Sequence, residues 1–119
     1  MGEEIQRLPP QVQQRLLRLQ QVQQTLQQVV YQKQQLELEL TEIESALKEL
    51  EALSDDAPVY KSIGALLIRS ERSKLIDELN ERKELINMRL GVLGKQEERL
   101  KSEMKNLQQK LKESLGTST

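Results

Sequence analysis

The chain contains no cysteine and no histidine among its 119 residues. Without cysteine there is neither a disulfide framework nor thiolate chemistry, and without histidine the commonest metal ligand and the usual general base at neutral pH are missing. The sequence also has no glycine-rich phosphate loop, no metal-ligand spacing and no arrangement of a nucleophile with a base. It therefore predicts a protein that is not an enzyme, with no catalytic residues, no metal and no cofactor.

Bulky aromatic residues are almost absent as well, since the chain has no Phe, no Trp and two Tyr, and hydrophobic residues make up 36%. This is too little bulk for an ordinary globular core, but it suits a seam between two helices. The longest aliphatic run, residues 65–68, is too short to cross a bilayer, and the N-terminus has no signal-peptide pattern. With 18 basic and 19 acidic residues, charge gives no general attraction to nucleic acid. We expect a single-domain cytoplasmic protein whose partners include no membrane and no nucleic acid.

What the chain does have is two long heptad repeats, in which apolar residues recur at alternating steps of three and four. This spacing places each set on one narrow stripe of a helix, which requires a partner stripe. We predict a first helix over about residues 10–53, which starts near Pro10 or Gln11 because Pro9-Pro10 prevents an earlier start. A second helix is predicted over about residues 71–115, capped by Ser70 or Ser73. In the first helix one row is Val12, Leu19, Leu26, Leu40 and Leu47, and the other is Val22, Val29, Leu36, Ile43 and Leu50. In the second helix one row is Leu79, Ile86, Leu93, Leu100 and Leu107, accompanied by Ile76, Leu90, Met104 and Leu111.

Charged residues interrupt both stripes. Lys33 takes a stripe position in the first helix, and Lys83 and Glu97 take stripe positions in the second. We interpret them as residues that fix register and orientation, as polar residues do in coiled coils. Three pairs, Glu44 with Lys48, Glu78 with Arg82 and Glu97 with Lys101, have the four-residue spacing of a favourable ion pair along one helix.

The segment between the repeats, residues 58–70, follows neither helical stripe. Ser54-Asp55-Asp56-Ala57-Pro58 ends the first helix, and two short strands follow over residues 59–63 and 66–69, joined by Gly64 and Ala65 as a type II′ turn. A lone two-stranded ribbon is marginal in water, and this one carries apolar residues on both faces, so we expect strands from other subunits to complete its sheet. The residues predicted to mediate this assembly are Val59, Tyr60, Ile63, Leu66, Leu67 and Ile68.

Because the connecting segment is short, the helices should pack antiparallel. The predicted fold class is all-α dominated: a long antiparallel two-helix coiled coil with a short β-hairpin at the turn. The ends of the chain then form a tip surface, where Leu16 and Leu17 are adjacent and cannot both face the seam. Exposed apolar side chains with a flexible Met suit a promiscuous binder, whereas packing in the seam is the plain structural alternative for each residue. The candidate binding residues are Leu8, Val12, Leu16, Leu17, Met104, Leu107, Leu111 and Leu115.

Residues 54–68, flanked by residues 32–40 and 95–100, resemble the β-type subunits of the prefoldin family. The likeness covers nearly the whole chain in the right order and length. It is specific at residues 59–64 and generic in the heptads. The single hairpin matches the β-type rather than the α-type subunit.

The resemblance implies a hexamer of two α-type and four β-type subunits, whose hairpins join in intersubunit β-barrels from which six coiled coils project. It implies an ATP-independent chaperone, a holdase, that binds unfolded polypeptides at its coiled-coil tips and delivers them to a group II chaperonin in an archaeal cytoplasm. Two alternatives stay open. A nucleic-acid-binding helical hairpin would have only Arg15, Arg18 and Lys33 within residues 11–35 for phosphate contacts. A structural coiled-coil scaffold would leave the β segment without a purpose.

Overall fold

The computed structural model of the protein describes residues 7–116. In chain order the elements are helix α1 (Pro10–Glu51), strand β1 (Val59–Ile63), strand β2 (Leu66–Ser70) and helix α2 (Arg72–Gly116). Two helices of 42 and 45 residues with one short hairpin confirm the predicted all-α-dominated class. No helix within residues 7–116 is both long enough and apolar enough to cross a membrane.

Helix α1 begins where the sequence predicts. Pro10 is its first residue, a position at which the missing N–H of proline would have no helical partner. The carbonyl of Pro9 accepts hydrogen bonds from the N–H groups of Val12 and Gln13, at 2.9 and 3.0 Å. Pro9 therefore caps the helix through its carbonyl group.

Helix α1 ends at Glu51, two residues before the predicted end. The next two N–H groups, of Ala52 and Leu53, donate to carbonyls only three residues back, each at 3.2 Å. Such tighter bonds commonly close the last turn of an α-helix. A further turn, in which Ala57 donates to the Ser54 carbonyl at 3.1 Å, leads the chain towards β1.

The hairpin has the predicted turn. Strands β1 and β2 pair antiparallel, with Val59 opposite Ser70 at one end and Ile63 opposite Leu66 at the other. Only Gly64 and Ala65 remain between the strands. Gly64 has φ +57°, whereas Ala65 does not have a positive φ, and this combination is that of a type II′ turn.

Helix α2 is not capped by the predicted serines. Its first residue is Arg72, and the carbonyl of Glu71 accepts the hydrogen bond of the Leu75 N–H at 3.0 Å, so Glu71 occupies the cap position. Ser70 is still part of β2, where it pairs with Val59, and Ser73 already lies inside the helix. The prediction of Ser70 or Ser73 as the cap is wrong because the strand runs one residue further than expected.

The predicted stripes form the buried seam. The chain divides into two compact units, one made of residues up to 33 and from 92, the other of residues 34–91. Within residues 7–116, every buried helical residue belongs to a predicted row. In the first unit these are Val12, Val22, Val29, Leu93 and Leu111, and in the second Ile43, Leu47, Leu50 and Ile86.

Ion pairs between the helices report their direction. In the first unit Arg18 pairs with Glu103, and Lys33 with Glu97. As the residue number of the α1 partner increases, the residue number of its α2 partner therefore decreases. In the second unit the same holds for Glu39 with Arg82 and for the Leu50 carbonyl with Arg72. The antiparallel arrangement is confirmed within each unit.

Candidate functional site

The strand register sorts the hairpin residues onto two faces. Opposite residues of an antiparallel pair share a face, and successive residues alternate. The face that contains Val59, which we call the valine face, has Val59, Lys61, Ile63, Leu66, Ile68 and Ser70. The other, which we call the tyrosine face, has Tyr60, Ser62, Leu67 and Arg69.

The valine face is apolar along most of its length. Val59 is buried and lines a pocket with Leu50, Leu53 and Leu75 at the base of the hairpin. Further along the same face Ile63, Leu66 and Ile68 are exposed, Leu66 to 66%. The face thus starts in the packed base of the hairpin and continues as uncovered aliphatic surface.

The tyrosine face is exposed too. Leu67 is 74% exposed, and Tyr60 is likewise an exposed large side chain. Of the six predicted assembly residues, five are therefore exposed, and Val59 is buried against the helices. Large apolar side chains that remain uncovered on a two-stranded sheet indicate an interaction surface.

Both edges of the hairpin are open in the described part of the chain. The sheet of residues 59–70 has two strands and no third. In a hairpin with a two-residue turn, Ile63 and Leu66 exchange hydrogen bonds, so the residues next to them, such as Ser62 and Leu67, direct their N–H and C=O groups outwards. Such edges are templates for pairing with further strands.

A lysine links the hairpin to α2. Lys61 Nζ donates to Glu78 Oε2 at 2.8 Å, and this hydrogen bond holds the pKa of the Glu78 carboxyl below its ordinary value. The predicted pair of Glu78 with Arg82 is wrong, because Arg82 instead binds both carboxylate oxygens of Glu39, at 2.8 and 2.9 Å. Each of the two side chains finds a partner on another element rather than along the helix.

Arg72 joins the start of α2 to the end of α1. Its Nε donates to the Leu50 carbonyl at 2.7 Å and its Nη1 to Asp55 Oδ1 at 2.9 Å, while Nη2 lies 3.5 Å from the Glu51 carbonyl. These carbonyls belong to the last turn of α1, where the regular four-residue hydrogen bonds of the helix end. Sequence reasoning did not single out Arg72. Its position in the first turn of α2 could have indicated a contact with another element, because a cation there interacts unfavourably with the helix dipole.

At the tip surface the structure separates the candidates by burial. Val12 and Leu111 are buried between the helices, whereas Leu17 and Leu115 are exposed. The remaining four, Leu8, Leu16, Met104 and Leu107, are half-buried. Leu16 and Leu17 differ as their adjacency predicts: Leu17 is 59% exposed, on the side of α1 away from the seam. The exposed apolar surface of the candidates therefore lies on Leu17 and Leu115 rather than on Val12 or Leu111.

The two arginines of α1 near the tip surface already have partners. Arg18 binds both carboxylate oxygens of Glu103, and Arg15 donates to the Ser114 hydroxyl at 3.4 Å. The Arg18 contact holds the pKa of the Glu103 carboxyl below its ordinary value. Because phosphate contacts need available cations, this arrangement does not favour the nucleic-acid alternative.

Two of the three stripe interruptions meet each other, while the third, Lys83, lies 4.0 Å from the Glu44 carboxylate of α1. Lys33 Nζ lies 3.4 Å from both carboxylate oxygens of Glu97, and Lys101 lies 3.5 Å from the same carboxylate, as its predicted four-residue spacing requires. Burial of the Glu97 carboxyl tends to raise its pKa, but the hydrogen bonds and charges of the two lysines outweigh burial and lower it. The seam thus contains a matched pair of charges at this level rather than two unrelated defects.

Comparison with known proteins agrees with this geometry. The prefoldin subunit family matches residues 13–118. The chain is 50% identical over 109 residues to prefoldin subunit beta of Methanothrix thermoacetophila, an alignment that covers 92% of this chain and 91% of that one. The crystal structure of the prefoldin beta subunit from Thermococcus strain KS-1 matches with a TM-score of 0.80 at 44% identity, over 92% of this chain and 96% of that one. The beta2 subunit of the same strain, 23% identical over 76% of this chain and 97% of its own, shares the fold with a TM-score of 0.69.

Two long antiparallel helices and a hairpin with open edges define a coiled-coil subunit whose described sheet is incomplete within one chain. The chain belongs to the prefoldin subunit family, and the relatives it resembles are β-type subunits. Prefoldin subunits are chaperone subunits that form complexes with other prefoldin subunits, and they are not known as enzymes.

Proposed function

We propose that this chain is the β-type subunit of an ATP-independent holdase that contains two α-type and four β-type subunits. The observation that carries the proposal is the hairpin, which has two open edges and exposed aliphatic side chains on both faces. Pairing of its edges with strands of neighbouring subunits would close a β-barrel and remove those side chains from water. Full burial of one Leu or Ile side chain contributes about 1.5–3 kcal/mol, so several residues per subunit suffice to drive association.

Charges on the valine face test this proposal. The variant Leu66→Lys with Ile68→Lys places two ammonium groups where neighbouring strands would pack, and burying such groups without partners is costly. Mixed with an α-type prefoldin subunit, the variant should give small species by light scattering, with its helical circular dichroism unchanged. A particle of the same mass as the unmodified hexamer would contradict the proposal.

A matched control separates position from added charge. Leu85 and Met88 are also exposed, but they lie on α2 rather than on the hairpin. Leu85→Lys with Met88→Lys changes the net charge by the same amount and should leave the mass of the assembly unchanged. Equal losses of assembly in both double variants would point to charge repulsion instead of strand pairing.

We further infer that unfolded polypeptides bind at the tip surface through apolar contacts and without nucleotide. The chain offers no phosphate-binding loop, so a particle built from it holds clients passively. Leu17 is the most exposed of the candidates, and burial of its exposed surface against a client would contribute about 1–2 kcal/mol. Repetition of such weak contacts over several subunits gives avidity without sequence specificity.

The chain supplies a matched pair of variants for this test. Leu38 lies three heptads after Leu17 on α1 and has nearly the same exposure, 57% against 59%. In the assembled particle without ATP, Leu17→Ser should weaken suppression of aggregation of a denatured test protein, whereas Leu38→Ser should not. Equal effects, or a requirement for ATP, would refute the proposed tip mechanism.

The proposal extends to delivery of clients to a group II chaperonin in an archaeal cytoplasm, which the family resemblance supports. A fluorescently labelled unfolded protein bound to the assembled particle should move to an added group II chaperonin, as followed by native gel electrophoresis. Retention of the label on the particle at excess chaperonin would contradict delivery while leaving the holdase function intact.

A further inference from the structure

We propose that Arg72 is a positioning residue for assembly, one that fixes the hairpin in the orientation in which its open edges meet the strands of neighbouring subunits. This inference rests on the proposed function of the hairpin. It concerns how the hairpin is held rather than which residues pair across subunits.

The covalent connections of the hairpin place Arg72 at the critical junction. A single residue, Glu71, separates β2 from α2, so the first turn of α2 directly determines the direction in which β2 leaves the helix. On the other side, residues 52–58 link α1 to β1 and include one internal turn. The orientation of the hairpin therefore depends on how the end of α1 is held against the first turn of α2.

Arg72 makes that connection with one side chain. Its guanidinium binds the Leu50 carbonyl, approaches the Glu51 carbonyl and binds the Asp55 carboxylate, so it holds both the end of α1 and the loop that leads to β1. The Arg72 side chain is only 18% exposed. A partly buried guanidinium with several acceptors forms a rigid junction, because its donors lie in one plane with fixed directions.

The placement of Arg72 is not explained by helix stability. Cations in a first turn oppose the helix dipole, and α2 has no acidic residue in its first turn to offset the charge. The contacts across the junction supply the reason for an arginine at this position. A hairpin whose direction is already fixed loses less conformational freedom when it pairs with other subunits, and this preorganisation favours association.

The test compares Arg72→Ala with Arg82→Ala. Arg82 also joins α1 to α2 through a two-oxygen contact with a carboxylate, but it does so within the helices and away from the junction. At a temperature where all variants keep full helical circular dichroism, the concentration of chain needed for half-maximal assembly with an α-type subunit should rise about tenfold or more for Arg72→Ala. It should change by less than about twofold for Arg82→Ala.

Two further measurements separate positioning from general stability. Arg72→Lys keeps the charge but offers a single ammonium group, so it should restore assembly only in part. In the isolated chain, hydrogen exchange at the amides of Ile63 and Leu66 should accelerate in Arg72→Ala and not in Arg82→Ala, because the hairpin loses its fixed base.

The outcomes also separate this inference from the function on which it rests. If Leu66→Lys with Ile68→Lys abolishes assembly but Arg72→Ala behaves like Arg82→Ala, the hairpin function stands and the role of Arg72 is wrong. If the double lysine variant assembles normally, the proposed function of the hairpin fails, and with it the role of Arg72.

Discussion

Replacement of glycine by alanine should have opposite effects in α2 and in the hairpin turn. Gly91 and Gly94 lie inside α2, and an added Cβ at either position would meet no atom within 4 Å apart from its chain neighbours and the surrounding backbone of the same helix. Neither glycine is therefore required for close approach of the helices. Gly64 also has empty space around it, but its φ is +57°, a conformation that strains residues with a Cβ. Since space is available at all three positions, backbone conformation alone sets the sign of the effect.

The magnitude follows from the backbone. Glycine inside a helix is about 1 kcal/mol less favourable than alanine, so Gly91→Ala and Gly94→Ala should each raise the free energy of unfolding by about 1 kcal/mol. The double variant should gain about 2 kcal/mol, provided that the two effects add. Gly64→Ala should instead cost about 1–2 kcal/mol, because alanine would have to adopt a left-handed conformation in the turn.

Urea unfolding of the isolated chain, followed by helical circular dichroism, measures the effect in α2. Both helix variants should shift the midpoint to higher urea without a change in slope. Gly64→Ala should give no such gain, and it should weaken assembly with an α-type subunit. A loss of stability in Gly91→Ala or Gly94→Ala would refute the reasoning, since it would show that these glycines allow a conformation other than a regular helix.

Three further predictions concern the seam and the tip. Ile86 is 1% exposed within the buried cluster, so Ile86→Ala should lower the free energy of unfolding, measured by urea titration, by about 2–5 kcal/mol. Leu85 is exposed, so Leu85→Ala should change the same free energy by less than about 0.5 kcal/mol. Because the pKa of Glu97 is lowered in the folded chain, its contribution is present above the ordinary glutamate pKa of about 4.3 and is lost as pH falls through the lowered value; Glu97→Gln should therefore show a smaller loss of stability on acidification. Raising salt from low to physiological strength should change client affinity little in a light-scattering aggregation assay, since Arg18 is already paired and the expected contacts are apolar; a steep fall would indicate charge-driven binding.

The sequence predicted the helices, the seam and the hairpin because each depends on local periodicity. The three- and four-residue steps identify the seam residues without knowledge of the partner helix, and Gly64 specifies its turn through its own backbone freedom. Cap placement failed at Ser70 because the end of β2 is set by pairing with Val59, which the local sequence does not encode.

The contacts of long charged side chains were harder to predict. Glu78 lies four residues before Arg82, yet each bonds to another element, and no local rule ranks those partners. Arg72 shows the same difficulty, since its acceptors are main-chain carbonyls that become available only where α1 happens to end. At the tip surface, the adjacency of Leu16 and Leu17 predicted that one of them would be exposed but not which, and periodicity did not separate the buried Val12 and Leu111 from the exposed candidates.

The pair of Lys33 and Glu97 bears on the register in which α1 and α2 pack, because the seam between them contains no aromatic residues. A stripe of repeated Leu, Ile and Val side chains fits its partner almost equally well after a shift of one heptad, because the shifted side chains are similar in size and shape. We expect the pair of Lys33 and Glu97 to disfavour such a shift. A shift of α2 by one heptad would bring Leu90 or Met104 opposite Lys33 and leave two half-buried charges against apolar neighbours, which is unfavourable. We therefore expect the polar contact to favour one register of the seam even where it adds little to the stability of the seam.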